Sequence, residues 1–407
     1  MKNKILAITG SFLPYNDTVT LLAYKHLRKT NLDVDVIALK TKDDNIIKQD
    51  YFNDINSKRF NIIYSKDYDK TVCSMGNKNV ILGIYNIICY TIKAIKLYKT
   101  HKYKYIYTSS LPGFTHLSGY FIKKYCKDVV WIASFSDPIY KSPYKYDKQT
   151  FKEYSLIEKI GFLVYITIYM NPIYEKLTMK HADKLIFICD KQKEFMINNH
   201  IKLDTNILNN KSIIIPLNYI KDWSLYNNLI DNNTITNNDK KVLVHMGRIY
   251  GLRDFTYFIK ALHRVNIEVN NLKDRLVIHQ YGEFLDRYKI MIKEYDLEEL
   301  FVVKDKVDYG TACNEMKNAD GLILIDTILD DSYKIQPYLP SKYLEYQLLN
   351  KPMVVSCAKN SPIAEYLNIT KDIEENVYQD LINILNGINE HTITSALENN
   401  DIPDILD

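Results

Sequence analysis

The sequence lacks most of the short motifs that announce a chemistry. No GxGxxG follows its first hydrophobic run and no GxxxxGK[ST] occurs anywhere, which argues against a nicotinamide enzyme and a P-loop nucleotidase. The nine histidines form neither HxH nor HExxH, so no metal site is expected. The six cysteines (Cys73, Cys89, Cys126, Cys189, Cys313, Cys357) form no CxxC pair and are too sparse for a disulfide scaffold. They read as reduced thiols of a cytoplasmic protein. No run reaches the roughly 18–20 apolar residues of a spanning helix. The opening MKNKILAITGSFLPY holds too short an apolar run for a signal peptide and reads as a first strand. Charge of one sign is also missing: 53 basic residues face 49 acidic ones, which gives no general reason to expect nucleic-acid binding.

What is present is a long, regular alternation. The chain has 407 residues, 46% of them apolar and 25% charged, the mix of a soluble globular protein of two or three domains. Strands are expected at 4–10, 32–39, 103–110, 128–137, 183–190 and 211–216, with helices between them. The Asn- and Asp-rich stretch 227–241 marks a boundary. Beyond it the pattern restarts, with strands at 241–247, 275–282, 300–307, 321–326 and 352–356 and helices at 255–265, 311–319 and 341–349. The expected class is α/β: two Rossmann-like domains facing each other across a cleft. The expected divisions are 1–220, a linker region at 221–240, a second domain at 241–375, and a C-terminal helix and tail at 376–407 that returns to the first domain.

In such sheets a ligand sits beyond the carboxyl ends of the strands. GRIYGLRD (247–254) offers Arg248 and Arg253 beside a coming helix start, which suits a phosphate, although two solvated surface arginines read equally simply. Gly282, at the tip of QYGEF, leaves backbone open for a base edge. Asp326 ends the strand GLILID and opens a long loop. The segment YLPSKYLEYQLLN then starts a helix near Pro340 and Ser341 and stops at Asn350. At 3.6 residues per turn Ser341, Leu344, Glu345, Leu348 and Leu349 share the inward arc, and Lys342, Tyr343, Tyr346 and Gln347 the outward one. A carboxylate on the inward arc needs a partner, and a ribose diol would serve Glu345. In the first half, Asp137 follows a strand and reads either as an acid acting on an acceptor hydroxyl or as a turn cap. His116 and His245 read as core residues. Asp33-Val34-Asp35 spells DxD inside a strand and reads as structural.

Two apolar stretches, 79–99 and 160–170, read as core helices, with a membrane-touching surface as the rival reading. Ile84, Ile88, Ile92 and Ile95 share one face of 79–99, beside Lys93 and Lys96, as in a basic amphipathic surface that touches a membrane peripherally.

The order of these strand ends resembles the GT-B fold glycosyltransferases, and most of all the retaining glycosyltransferase family four of bacterial surface-polysaccharide synthesis. GRIYGLRD is similar to the family's diphosphate-gripping Arg and Lys, with Arg253 in the place of the Lys. KNADGLILI, LPSKYLEYQLLNKPMVVS, SPIAEYL and HADKLIFICD look like family segments, and Glu345 matches the Glu that contacts the donor ribose. ASFSDPIY is similar to a segment of polysaccharide-building relatives. The resemblance implies a nucleotide diphosphate sugar donor, UDP- or GDP-linked, bound without a metal or other cofactor. Its expected contacts are Arg248, Arg253, Gly282, Asp326, Ser341, Lys342 and Glu345, and its expected catalytic groups are Asp137, Arg248 and Arg253. Ser11, Tyr15, Asn16 and Asp137 stand on the acceptor side, facing a glycan or lipid-linked acceptor at the inner face of the cell membrane. The pattern departs in two places. Pro337 stands where the family has a first Glu, whose work would pass to Asp330, Asp331 or backbone donors. Tyr15-Asn16-Asp17 replaces a glycine pair. The first departure motivates a rival function, a non-catalytic nucleotide-sugar-binding partner of another transferase. A sugar-nucleotide epimerase shares the architecture, but the acids and histidines it would need around the sugar are not found.

Overall fold

The computed structural model describes residues 4–15, 18–41, 59–68, 77–110, 113–145, 155–156, 159–160, 173–200, 202–216, 240–249, 251–307, 309–329 and 332–389. The chain divides into two compact units, Met1–Asn218 with Asn399–Asp407, and Tyr219–Glu398. The linker region, the stretch 161–172 and the tail beyond 389 lie outside the described residues.

In the first unit seven strands form one sheet: β1 (Lys4–Ile8), β2 (Asp33–Thr41), β3 (Phe60–Tyr68), β4 (Tyr105–Ser109), β5 (Val130–Ser134), β6 (Lys184–Phe187) and β7 (Ser212–Ile214). Their order is β3-β2-β1-β4-β5-β6-β7, and every pairing is parallel. Parallel sheets are covered on both faces, so their strands read as unbroken apolar runs. YIYTS of β4 and VWIAS of β5 are such runs, buried almost throughout. The edge strand β3 was not expected. Its sequence, FNIIYSKDY, mixes polar and apolar residues without alternation because one side of it meets solvent. Asp35 of the DxD is buried on β2, where it accepts from Asn61 Nδ2 (2.8 Å) and the Tyr103 hydroxyl, so the structural reading of this acid holds.

The second unit holds a five-stranded sheet of β8 (Lys241–Met246), β9 (Leu276–Tyr281), β10 (Phe301–Lys304), β11 (Gly321–Ile325) and β12 (Met353–Ser356), in the order β10-β9-β8-β11-β12, again all parallel. One core joins strands β8, β9, β11 and β12 to Phe258, Leu262 and Val265 of the helix Thr256–Glu268, and to Val377, Leu381 and Ile384 of the helix Ile373–Leu385. This last helix also finishes the open edge of β12. Asp380 accepts the Val355 N–H (2.9 Å), and Asn376 Nδ2 donates to the Val355 carbonyl (2.9 Å) and to Asp380 (3.1 Å).

In both sheets the strand order reverses once beside the first strand of the unit, between β1 and β4 and between β8 and β11. Loops leaving neighbouring strands on opposite sides part there and leave a crevice at the carboxyl ends.

Candidate functional site

The crevice of the second unit gathers the expected donor residues. Gly247 ends β8 with φ of 122°, which a side chain would strain. A Cβ on Gly247 would stand 2.2 Å from Lys342 Nζ, so the ammonium occupies the space that the missing side chain leaves. Gly282, with φ of 85°, ends β9, and a Cβ there would stand 3.3 Å from the carbonyl carbon of Gly247. The Gly247 N–H donates to the Tyr281 carbonyl (3.1 Å), which binds the two loops side by side. Arg253 pairs with Thr327 in a short antiparallel bridge, and the Ile328 N–H donates to the Leu252 carbonyl (3.0 Å). This bridge holds the loop after β8 against the loop after β11.

Lys342 thus lies within the charge influence of two arginines and one acid. Burial of Lys342 Nζ pushes its pKa down to about 7, with the charges of Arg253 and Arg248 adding to the effect and that of Glu345 opposing it. Glu345 is 9% exposed, as expected from its place on the inward arc. Arg248 reaches outward to Glu283, at 3.7 Å with both side chains 61% exposed. So open an ion pair is worth little and is easily exchanged for a stronger anion. Beneath the cluster lies buried His245, whose Nδ1 is 2.8 Å from the Gln280 side-chain oxygen. Gln280 in turn donates to the carbonyls of Gly247 (3.1 Å) and Tyr281 (2.9 Å). Burial first, then the charges of Lys342 and Arg253, hold the His245 pKa well below the usual imidazole range, so it stays neutral. His245 is a supporting residue of this site, a contact that the sequence pattern does not display.

Asp326 is fully buried behind Arg253. Its Oδ1 accepts from the Thr327 N–H (2.7 Å) and the Gln336 side chain (3.1 Å), and Gln336 Oε1 accepts from the Tyr338 N–H (2.6 Å). Burial raises its pKa to about 6, against the Ser361 and Gln336 side chains, the Thr327 N–H and the Arg253 charge, which all favour the carboxylate. Asp326 thus clamps the loop that leads into the helix Ser341–Leu349. In that helix Pro340 takes the cap position and Ser341 is the first helical residue, with no side-chain cap bond. Asn350 adopts the left-handed conformation at its end, φ 50° and ψ 38°. The outward arc is corrected. Tyr343 and Tyr346 are fully buried, because the Tyr343 ring stacks on Tyr366 and the Tyr346 hydroxyl reaches the Met246 N–H. Leu348 and Leu349 are only half-buried. Asp330 and Asp331 lie outside the described residues.

The first unit presents its expected residues after two strands, β1 and β5, which flank β4 in the sheet. Ser11 Oγ lies 2.8 Å from Thr20 Oγ1, and the Tyr15 N–H donates to the Phe12 carbonyl (3.2 Å). Asn16 lies outside the described residues. The loop carrying half-buried Asp137 is tied down on both sides. Before it, the Ser136 N–H donates to Ser110 Oγ (3.0 Å) and Ser136 Oγ donates to the Ser110 carbonyl (3.0 Å). After it, buried Glu175 accepts from the N–H groups of Ile139 and Tyr140, while its second oxygen meets His200 Nε2 at 2.9 Å. His116 is buried against Thr108 and Phe135, and burial lowers its pKa to about 3, in keeping with a core residue. Among the described residues no three His, Cys, Asp or Glu side chains converge as a metal site would need.

The same fold recurs in solved structures. A glycosyltransferase from Rickettsia africae is similar at a TM-score of 0.58 and 14% identity, over 96% of this chain and 91% of that one. An α,α-trehalose-phosphate synthase (UDP-forming) from Burkholderia xenovorans, in complex with glucose-6-phosphate, reaches 0.58 at 8% identity, over 96% and 94%. A putative UDP-N-acetylglucosamine 2-epimerase from Listeria monocytogenes reaches 0.56 at 10% identity, over 98% and 92%. The fold class is GT-B, two parallel-sheet α/β domains shared by nucleotide-sugar glycosyltransferases and epimerases. No protein-family model and no curated protein matches the sequence.

Proposed function

We propose that this chain is a glycosyltransferase that moves a sugar from a nucleotide diphosphate sugar to a glycan or lipid-linked acceptor in bacterial surface-polysaccharide synthesis. The observation that carries this reading is Lys342 Nζ set against Gly247 and within the charge influence of Arg253, Arg248 and Glu345, with Glu345 one helical turn from Lys342. Breaking the bond between the anomeric carbon and the donor oxygen puts negative charge on the departing nucleoside diphosphate. Preorganised cations at that point stabilise the transition state more than the ground state. Arg248 and Arg253 hold the diphosphate, Lys342 adds a third positive charge at its base, and Ser341 lies beside it at the helix start. Glu345 takes the ribose hydroxyls, and Gly282 leaves backbone open to the base. Asp326 acts from behind by fixing the loop that Arg253 leans on. Ser11, Tyr15, Asn16 and Asp137 receive the acceptor, with Asp137 beside its hydroxyl. The resemblance to family four favours retention of anomeric configuration and a reaction without a metal ion.

The test is a thermal-shift panel with UDP, GDP, CMP and their sugars, with and without EDTA, followed by a transfer assay with the nucleotide that binds. A nucleotide at about 100 times its Kd should stabilise the protein by roughly 2.7 kcal/mol. Arg248→Ala should abolish that shift while leaving the unliganded melting curve in place. No shift with any nucleotide, or unchanged turnover in Arg248→Ala, would sink the assignment. Binding without transfer would leave the non-catalytic partner, and epimerised donor would show an epimerase.

A further inference from the structure

The helix Asn77–His101 turns a stripe of three isoleucines away from its buried face. Asn86, Ile87, Tyr90 and Ala94 form its buried face, and the Tyr90 hydroxyl donates to the Thr9 carbonyl (3.1 Å). At 100° per residue, Ile84, Ile88 and Ile92 lie opposite that face. They are 50%, 52% and 51% exposed. The stripe covers about 12 Å of helix. It continues onto the helix Phe114–Tyr125, whose Phe121 and Tyr125 are 47% and 57% exposed, with Lys99 Nζ 5.8 Å above the Tyr125 ring.

Charge is concentrated on the same segment. Residues 77–127 contain nine lysines and no aspartate or glutamate. The chain as a whole carries +4, so the remainder carries −5. The near balance of the whole sequence therefore conceals one basic segment. Lys96 and Lys99 flank the isoleucine stripe, whereas Lys93 turns away to donate to the Tyr64 carbonyl.

We propose that this face, Ile84, Ile88 and Ile92 with Phe121, Tyr125 and the surrounding lysines, docks the protein on an anionic lipid surface. Isoleucines half out of the helix surface suit shallow burial at the headgroup boundary, and lysine stems and tyrosine rings suit the layer just above. A second copy is the poorer occupant. A two-fold contact sets each patch against itself and would oppose Lys96 and Lys99 to their own copies. No helix among the described residues is long and apolar enough to cross a membrane, so the contact is peripheral. The inference rests on the first unit alone and not on the reading of the donor site.

The test is co-sedimentation with vesicles of phosphatidylcholine alone and with one third phosphatidylglycerol, at about 0.05 M and 0.5 M salt. The full chain should pellet with the anionic vesicles at low salt, and far less at high salt or with neutral lipid. Each lysine at the surface is worth roughly fivefold in partitioning, so Lys96→Glu with Lys99→Glu should cost about 25-fold or more. The triple change Ile84→Ser, Ile88→Ser, Ile92→Ser should also release the protein. Both variants should keep the parent's melting temperature. Failure to pellet on anionic vesicles, or variants that pellet like the parent, would overturn the proposal. So would an isoleucine-dependent dimer in sedimentation velocity, which would make the face a protein interface.

Discussion

Replacing Lys342 by methionine should make the protein more stable and its grip on a nucleoside diphosphate weaker. The two effects have one origin. The Lys342 pKa falls from 10.5 to about 7 on folding, chiefly by burial and then through the neighbouring Arg253 and Arg248. A base whose pKa is lowered by folding costs the fold most below its folded value, and the cost shrinks as pH rises toward its unfolded value. The fall corresponds to at most about 5 kcal/mol at pH 6, and about 2 kcal/mol remains at pH 9. Methionine keeps the length of the stem and removes the charge, so it recovers that cost. The gain in melting temperature should be several degrees at pH 6 and clearly smaller at pH 9. Binding moves the opposite way. A bound diphosphate loses one charge-assisted hydrogen bond, worth about 1.5–3 kcal/mol, or roughly 10- to 150-fold in Kd. Scanning fluorimetry at the two pH values and titration calorimetry with the nucleotide read both halves. A variant less stable at pH 6, or one that binds the nucleotide as tightly as the parent, would refute the reasoning.

The remaining expectations concern the same elements. At pH 8 a bound diphosphate should return a proton to Lys342, so calorimetric enthalpies in Tris and HEPES should differ by the buffers' ionisation enthalpies; equal enthalpies would count against a titrating lysine here. Gly247→Ala should cost about 1–2 kcal/mol from its φ of 122° and also displace Lys342 Nζ, which lies 2.2 Å from the new methyl position. Nucleotide binding should then fall by more than the loss of stability explains. Glu175→Leu should leave the Ile139 and Tyr140 N–H groups without their acceptor and lower stability by roughly 2–5 kcal/mol. Hydrogen exchange at those two amides should speed up before exchange in β5 does, and unchanged protection there would show that Glu175 does not hold the loop.

The strands were legible because parallel sheets bury both faces, so GLILI and MVVS stand out in any reading of the sequence. Glu345 and Asn350 were legible because a buried acid and a left-handed helix end each restrict residue type. Periodicity assigns residues to a face but does not say which face turns inward. The arc of Tyr343 and Tyr346 looked outward from sequence and is buried, while the isoleucine stripe read as core or as an amphipathic surface and is exposed. Both have one cause: a tyrosine ring is as apolar as it is polar, and an isoleucine on an exposed face resembles one in a core. The closeness of Lys342 to Gly247 joins residues 95 positions apart across two loops. No local pattern reports such a contact.

The capping of β12 by Asn376 and Asp380 has a consequence for synthesis. The Val355 N–H and carbonyl are answered only by a helix that lies about 20 residues further along the chain. In a released chain that ends before this helix, the outer edge of β12 has no such guard and is a template for another chain. A ribosome that stalls before Ile373 should release a product that aggregates, whereas one that stalls after Leu385 should release a soluble one. Ordering of the second unit would thus be timed by its last helix.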